Sequence, residues 1–208
     1  PIAWHRISHF QNLSLKLIAT EMLRNGPLYK DSLSTAISGG GAPNELVLYQ
    51  DGEINASKLK LPQPLALWCS AGNPGAVAVA AELVASMGSN GADIRVVDSI
   101  QHAQALQANG KPAFMLLYLN KDTWVQQGAV LLERDVRAAW GDQTRVKVVM
   151  VHENDREKDG CEFGDFFATT PQALINDGIY SDIAIALHTQ PHRGVSLALI
   201  AKALGATM

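Results

Sequence analysis

From Leu65 onward the chain alternates short apolar runs with segments of helical periodicity, and this alternation limits the fold more than any other feature. The runs Leu65–Ser70, Asp93–Val97, Ala113–Leu119, Val146–Val151 and Ile183–Leu187 have strand length. Between them lie Ala76–Met87, Ser99–Ala108, Val130–Trp140 and Pro171–Asn176, and Val195–Leu204 closes the series. Strands that are apolar on both sides of the pleat need cover on both faces of their sheet. The expected class is therefore α/β: a flavodoxin-like, doubly wound, five-stranded parallel sheet flanked by helices.

The first 64 residues follow no such rhythm. Ile7, Phe10, Leu13, Leu17 and Leu23 fall near helical spacing and predict an amphipathic helix that ends at Asn25-Gly26-Pro27. A weaker helical stretch covers Leu28–Ile37, Glu45–Tyr49 reads as a short strand, and Asp51-Gly52 marks a turn. The glycine run Gly39-Gly40-Gly41 is a breaker rather than a phosphate cradle, because no Lys-Ser/Thr follows it. The triplet Pro62-Gln63-Pro64 separates residues 1–64, a mainly helical extension or the end of a preceding module, from an α/β domain at 65–208. The termini, Pro1-Ile2 and Ala206-Thr207-Met208, carry no signal peptide or targeting tail, and a segment of a longer protein is expected.

Composition narrows the function. With 47% hydrophobic residues the chain can build a core. Its 17 Lys and Arg against 20 Asp and Glu, without a basic cluster, argue against gripping a nucleic-acid backbone. The charge-free stretch from Leu61 to Ala81 is broken by Pro62, Pro64 and Pro74, so no membrane segment is expected. Cys69 and Cys161 form no CxxC, which favours reduced thiols and an intracellular, cytoplasmic setting over a disulfide framework.

In doubly wound folds the ligand site lies beyond the carboxyl ends of the strands. After the first strand comes Ser70-Ala71-Gly72-Asn73-Pro74-Gly75, either a tight turn or a small-residue loop letting a nucleotide phosphate approach a helix N-terminus. Asp98 follows the second strand as a candidate ligand contact or a helix cap. The motif GNPG is not the GxGxxG dinucleotide fingerprint, and the first strand supplies no acid to complete a phosphoacceptor metal site. His152-Glu153 lacks the second His of a zinc protease, since Arg156 stands four residues after His152, and His5/His9 and His188/His192 lack a third ligand. No metal site and no resident cofactor are expected. The mixed-charge segment 152–165 reads as a surface excursion that returns to the core through Phe163, Phe166 and Phe167.

The stretch Phe114-Met115-Leu116-Leu117-Tyr118-Leu119 through Leu131-Leu132-Glu133-Arg134-Asp135-Val136 resembles the TIR (Toll/interleukin-1 receptor) domain pattern of a hydrophobic third strand, a loop and a helix with a glutamate. With Leu67-Trp68-Cys69-Ser70 as first strand and Val148-Val149-Met150-Val151 as fourth, the likeness covers residue 65 to about residue 205. It is nearest to divergent TIR-like segments of large multidomain proteins of algae and other protists. The resemblance implies one of two activities: self-association as a signalling scaffold, or hydrolysis of NAD at the nicotinamide-ribosyl bond. In the second case Glu133 is the catalytic carboxylate that stabilises an oxocarbenium-like transition state. Ser70, Ala71, Gly72, Asn73, Asp98 and Trp124 would then shape the nucleotide pocket, with NAD as substrate rather than cofactor. The chain departs from enzymatic members at Ala129, where they carry Trp four residues before the glutamate. A non-catalytic interaction or nucleotide-sensing module is the alternative, and the parent of such a segment can be membrane-associated.

Overall fold

A computed structural model describes residues 2–27, 48, 52–140 and 146–208. The chain divides into two compact units, Pro1–Ile54 and Asn55–Met208. In the first, helix α1 (Ser8–Asn25) forms over the segment of helical spacing and ends at Gly26; of the apolar residues behind that spacing Phe10 is buried, whereas Ile7 and Leu23 are exposed. The buried Ser14 hydroxyl donates to the Ala3 carbonyl at 2.6 Å, and Lys16 pairs with Glu53 at 2.7 Å. The helix expected over Leu28–Ile37 lies outside the described residues, as does nearly all of the strand expected at Glu45–Tyr49.

The second unit holds a sheet of five parallel strands, β1 (Leu65–Trp68), β2 (Ile94–Val97), β3 (Ala113–Leu119), β4 (Lys147–Glu153) and β5 (Ile185–Leu187). Their order, β2-β1-β3-β4-β5, is that of a flavodoxin-like doubly wound sheet. Central β3 is buried at every position, while edge strand β2 leaves Arg95 and Val96 exposed. Helices α2 (Ala76–Ser86) and α7 (Arg193–Ala203) pack together over one face. The other face carries α3 (Ile100–Ala108) and α4 (Ala129–Trp140), followed in the chain by the short α5 (Phe166–Thr169) and α6 (Gln172–Asn176). Its core joins Trp68, Met115, Leu117 and Leu119 of the sheet to Leu132 and Val136 of α4 and to Phe166 and Leu174.

The unit begins at Asn55, before the proline triplet. Asn55 caps a short 3-10 turn by accepting from the Ser57 N–H, Leu59 is fully buried, and Lys60 forms an antiparallel bridge with Thr207. The prolines therefore mark where strand and helix alternation starts, and the preceding turn already belongs to the α/β core. The segment after β4 returns as its aromatic residues suggest. Phe163 and Phe166 meet His152 and each other edge-on, with ring centroids 5.4–5.6 Å apart, and Phe167 stays exposed.

Candidate functional site at the carboxyl ends of the strands

The strand order reverses between β1 and β3, so the loops that follow them, Cys69–Gly75 and Asn120–Gly128, open the crevice where such folds bind ligands. Here the protein fills much of that crevice itself. The Asn73 side chain is buried; its Oδ1 accepts from the Tyr118 N–H at 2.8 Å and its Nδ2 donates to the Tyr118 carbonyl at 2.7 Å. The amide of Asn73 thus stands in for a strand neighbour. Ser70 donates to the Asp135 carboxylate of α4 at 2.7 Å and accepts from the Gly72 N–H at 3.1 Å. Gly72 lies so close to Gly128 that an added Cβ would sit 2.5 Å from the Gly128 carbonyl oxygen. Gly75 adopts φ +86, and its bare Cα faces the Tyr118 ring.

Tyr118 opens onto a buried charge network. Its hydroxyl donates to the fully buried carboxylate of Glu153, at the end of β4, at 3.0 Å. Arg193, the first residue of α7 and 3% exposed, donates to both Glu153 oxygens at 3.0–3.1 Å. The same guanidinium forks onto Glu82 of α2 through Nε at 2.6 Å and Nη2 at 2.8 Å. Lys158 approaches Glu82 at 3.6 Å, and Lys121 pairs with Asp159 at 2.6 Å across two loops. A cleft of about 440 Å³ lies above these groups, lined by Pro74, Tyr118, Asn120, Asp122, Lys158 and Arg193 among others.

The Arg193 guanidinium balances the charge of Glu153, which water cannot reach, and also bonds Glu82, whose side chain is about one-third exposed. Burial raises the Tyr118 phenol well above its ordinary value, and the neighbouring Glu153 carboxylate raises it further. Burial alone would lower Arg193, but its hydrogen bonds to Glu82 and Glu153 hold it above its usual value. The hydrogen bond from Arg193 holds Glu82 below the usual carboxylate range. A carboxyl whose pKa falls on folding stabilises the fold above its unfolded value and loses that contribution as pH drops through the folded value. The stability gap between the wild type and Glu82→Gln should therefore be full above about pH 4.5 and close on acidification, as urea melts across pH would show.

The other residues singled out from sequence lie apart from this network. Glu133 on α4 accepts from Arg137 Nε at 3.2 Å, and Arg137 also donates to Asp177 at 2.8 Å. The side chain by which α4 hydrogen-bonds the Ser70–Asn73 loop is that of Asp135. Trp124 is buried in the core beside Phe166, with its Nε1 donating to the Tyr180 hydroxyl at 3.1 Å. Ala71 is exposed on the loop. Asp98 is exposed too and pairs with His102 at 3.0 Å, a hydrogen bond that holds its carboxyl below the ordinary value. It lines a separate cleft of about 500 Å³ beside β2, together with Cys69, Val77, Arg95, Val96 and His102. Burial pushes the Cys69 thiol up to about 12, too high for a thiolate nucleophile at neutral pH.

Sequence reading missed Glu82, Tyr118, Glu153 and Arg193 as a group. The available signal was an acid closing the apolar run Val148–Val151 through His152, and a lone arginine opening the apolar helix Val195–Leu204. Among the described residues no group of three or more His, Cys, Asp or Glu is placed to hold a metal ion, and no helix is long and apolar enough to cross a membrane. Comparison with protein-family models, curated proteins and solved structures gives no match.

Proposed function

We propose that the α/β unit is a TIR-like signalling module of a larger protein and works by self-association rather than by hydrolysing NAD. The observation that carries this reading is the state of Glu133. Its carboxylate accepts from Arg137, which also donates to Asp177, and it does not line the cleft of about 440 Å³ at the carboxyl ends of β1 and β3. A carboxylate that is to stabilise an oxocarbenium ion must face the substrate ribose. Ala129 in place of the tryptophan of enzymatic relatives, and the burial of Trp124 against Tyr180, support the same view.

The purified chain, concentrated enough to associate, is incubated with NAD while nicotinamide release is followed by chromatography and particle mass by light scattering. Wild type and Glu133→Ala should both release no nicotinamide, and both should assemble. Release by the wild type that Glu133→Ala abolishes would establish a hydrolase and overturn the reading. The cleft at Asp98 favours a second reading, nucleotide sensing, because it sets the polar Asp98, His102 and Arg95 beside apolar Val77, Val96 and Leu106. That reading requires saturable nucleotide binding, without product, that is lost in Asp98→Ala.

A further inference from the structure

The two neighbours of β4 differ in length. Strand β3 pairs with residues 147–152 of β4, whereas β5 pairs only with Val151, His152 and Glu153. Residues Lys147–Met150 therefore have a strand on one side, and no described strand on the other. Alternate residues of a parallel ladder direct both N–H and C=O to the same side, so half of the backbone polar groups in this stretch point away from β3. They point into a notch of about 330 Å³, walled by Trp140 and Ile179, by Ala203 of α7, and by Asp182 and Ile183 ahead of β5. Natural sheets cover or blunt such edges. This one has a lysine, Lys147, at its start but keeps large apolar side chains in solvent beside it: Ile183 is 96% exposed and Trp140 37%.

We infer that this notch is where a second copy of the chain docks, the β4 edges of two protomers pairing antiparallel about a two-fold axis. The inference rests on the assembly reading above and names its surface. A two-fold contact needs a self-complementary patch, in which what one copy offers is what the other lacks. The notch supplies one cation, Lys147, and one anion, Asp182, on the same surface, so each copy's lysine can meet the other's aspartate. Edge pairing adds main-chain hydrogen bonds over a length typical of short strands. Because β5 begins only at Ile185, opposite Val151, it leaves Lys147–Met150 without a strand partner on that side. The exposed Ile183 and Trp140 provide the apolar area that such a contact removes from water.

The test uses the full chain in sedimentation velocity across a wide concentration range, with circular dichroism to verify the fold of each variant. The wild type should form dimers. Lys147→Glu and Asp182→Lys should each weaken the dimer by about tenfold or more, because each sets like charges against each other across the axis. The double variant Lys147→Glu/Asp182→Lys should regain wild-type affinity. Ile183→Lys, at a position already in solvent, should weaken the dimer without unfolding the monomer. Assembly that none of these variants changes would overturn the inference while leaving self-association intact. A wild type that stays monomeric at every concentration would overturn both.

Discussion

Replacing Arg193 with methionine is expected to cost about 3–5 kcal/mol of folding stability, the usual result of leaving a buried charge without its partner. Glu153 has no exposed surface, and Arg193 supplies three of its hydrogen bonds. Without the guanidinium, the Tyr118 hydroxyl and the Asp155 N–H remain as donors to Glu153, neither carrying charge. Glu82, about one-third exposed at its side chain, can turn to water and suffers less. The effect should therefore be much larger for Arg193→Met than for Glu82→Gln. The double variant Glu153→Gln/Arg193→Met should recover part of the loss, because a neutral amide has no charge to bury. Urea denaturation of the single and double variants gives the coupling directly. Equal losses in Arg193→Met and Glu82→Gln would show that the guanidinium acts at the surface and that the buried pair carries little weight.

Gly72→Ala should be nearly as damaging, with a loss of about 3 kcal/mol, at the upper end for overpacking a close contact. The added methyl would lie 2.5 Å from the Gly128 carbonyl oxygen and 2.7 Å from the Leu132 amide nitrogen. Both are backbone atoms at the start of α4, so no side-chain rotation relieves the clash. The loop after β1 would have to move away from α4 and loosen the Ser70–Asp135 hydrogen bond. Alanine at Gly164, where an added Cβ meets nothing within 4 Å, is the control and should be close to neutral in thermal melts. If the two variants melted alike, the close approach of the two loops would not be a constraint.

The strands show how far the linear pattern reaches. The seven residues of β3 coincide with the apolar run Ala113–Leu119, because a central strand covered on both faces has no polar position to blur its ends. The run Leu65–Ser70 overshoots β1, which stops at Trp68, since Ser70 turns to meet α4. The error at β4 runs the other way. The apolar run ends at Val151 and the strand continues through His152 and Glu153, both buried. Polarity marks a strand end only when the polar residue meets water. Here the Cys161 carbonyl lies 2.8 Å from His152 Nε2, and Arg193 holds Glu153.

The same distinction separates the two sets of site residues. Position after a strand placed the Ser70–Gly75 loop at the carboxyl end of β1, and the strand order puts that end beside the point where the order reverses. What the loop does with its polar atoms was not legible, because Asn73 finds its partner at Tyr118 and Ser70 finds its own at Asp135, far along the chain.

By itself the sequence determined the architecture: apolar runs of strand length, separated by helical segments, can bury both faces of a sheet in few other ways. The tertiary structure decided which charges meet. Arg193 reaches Glu153 across 40 positions and Glu82 across 111, and the notch beside β4 exists only because β5 is short where β4 is long. Burial of apolar surface depends on periodicity, which is local and can be read along the chain. Neutralising a buried charge or leaving a strand edge open depends on which distant segments come together, and periodicity holds no record of that.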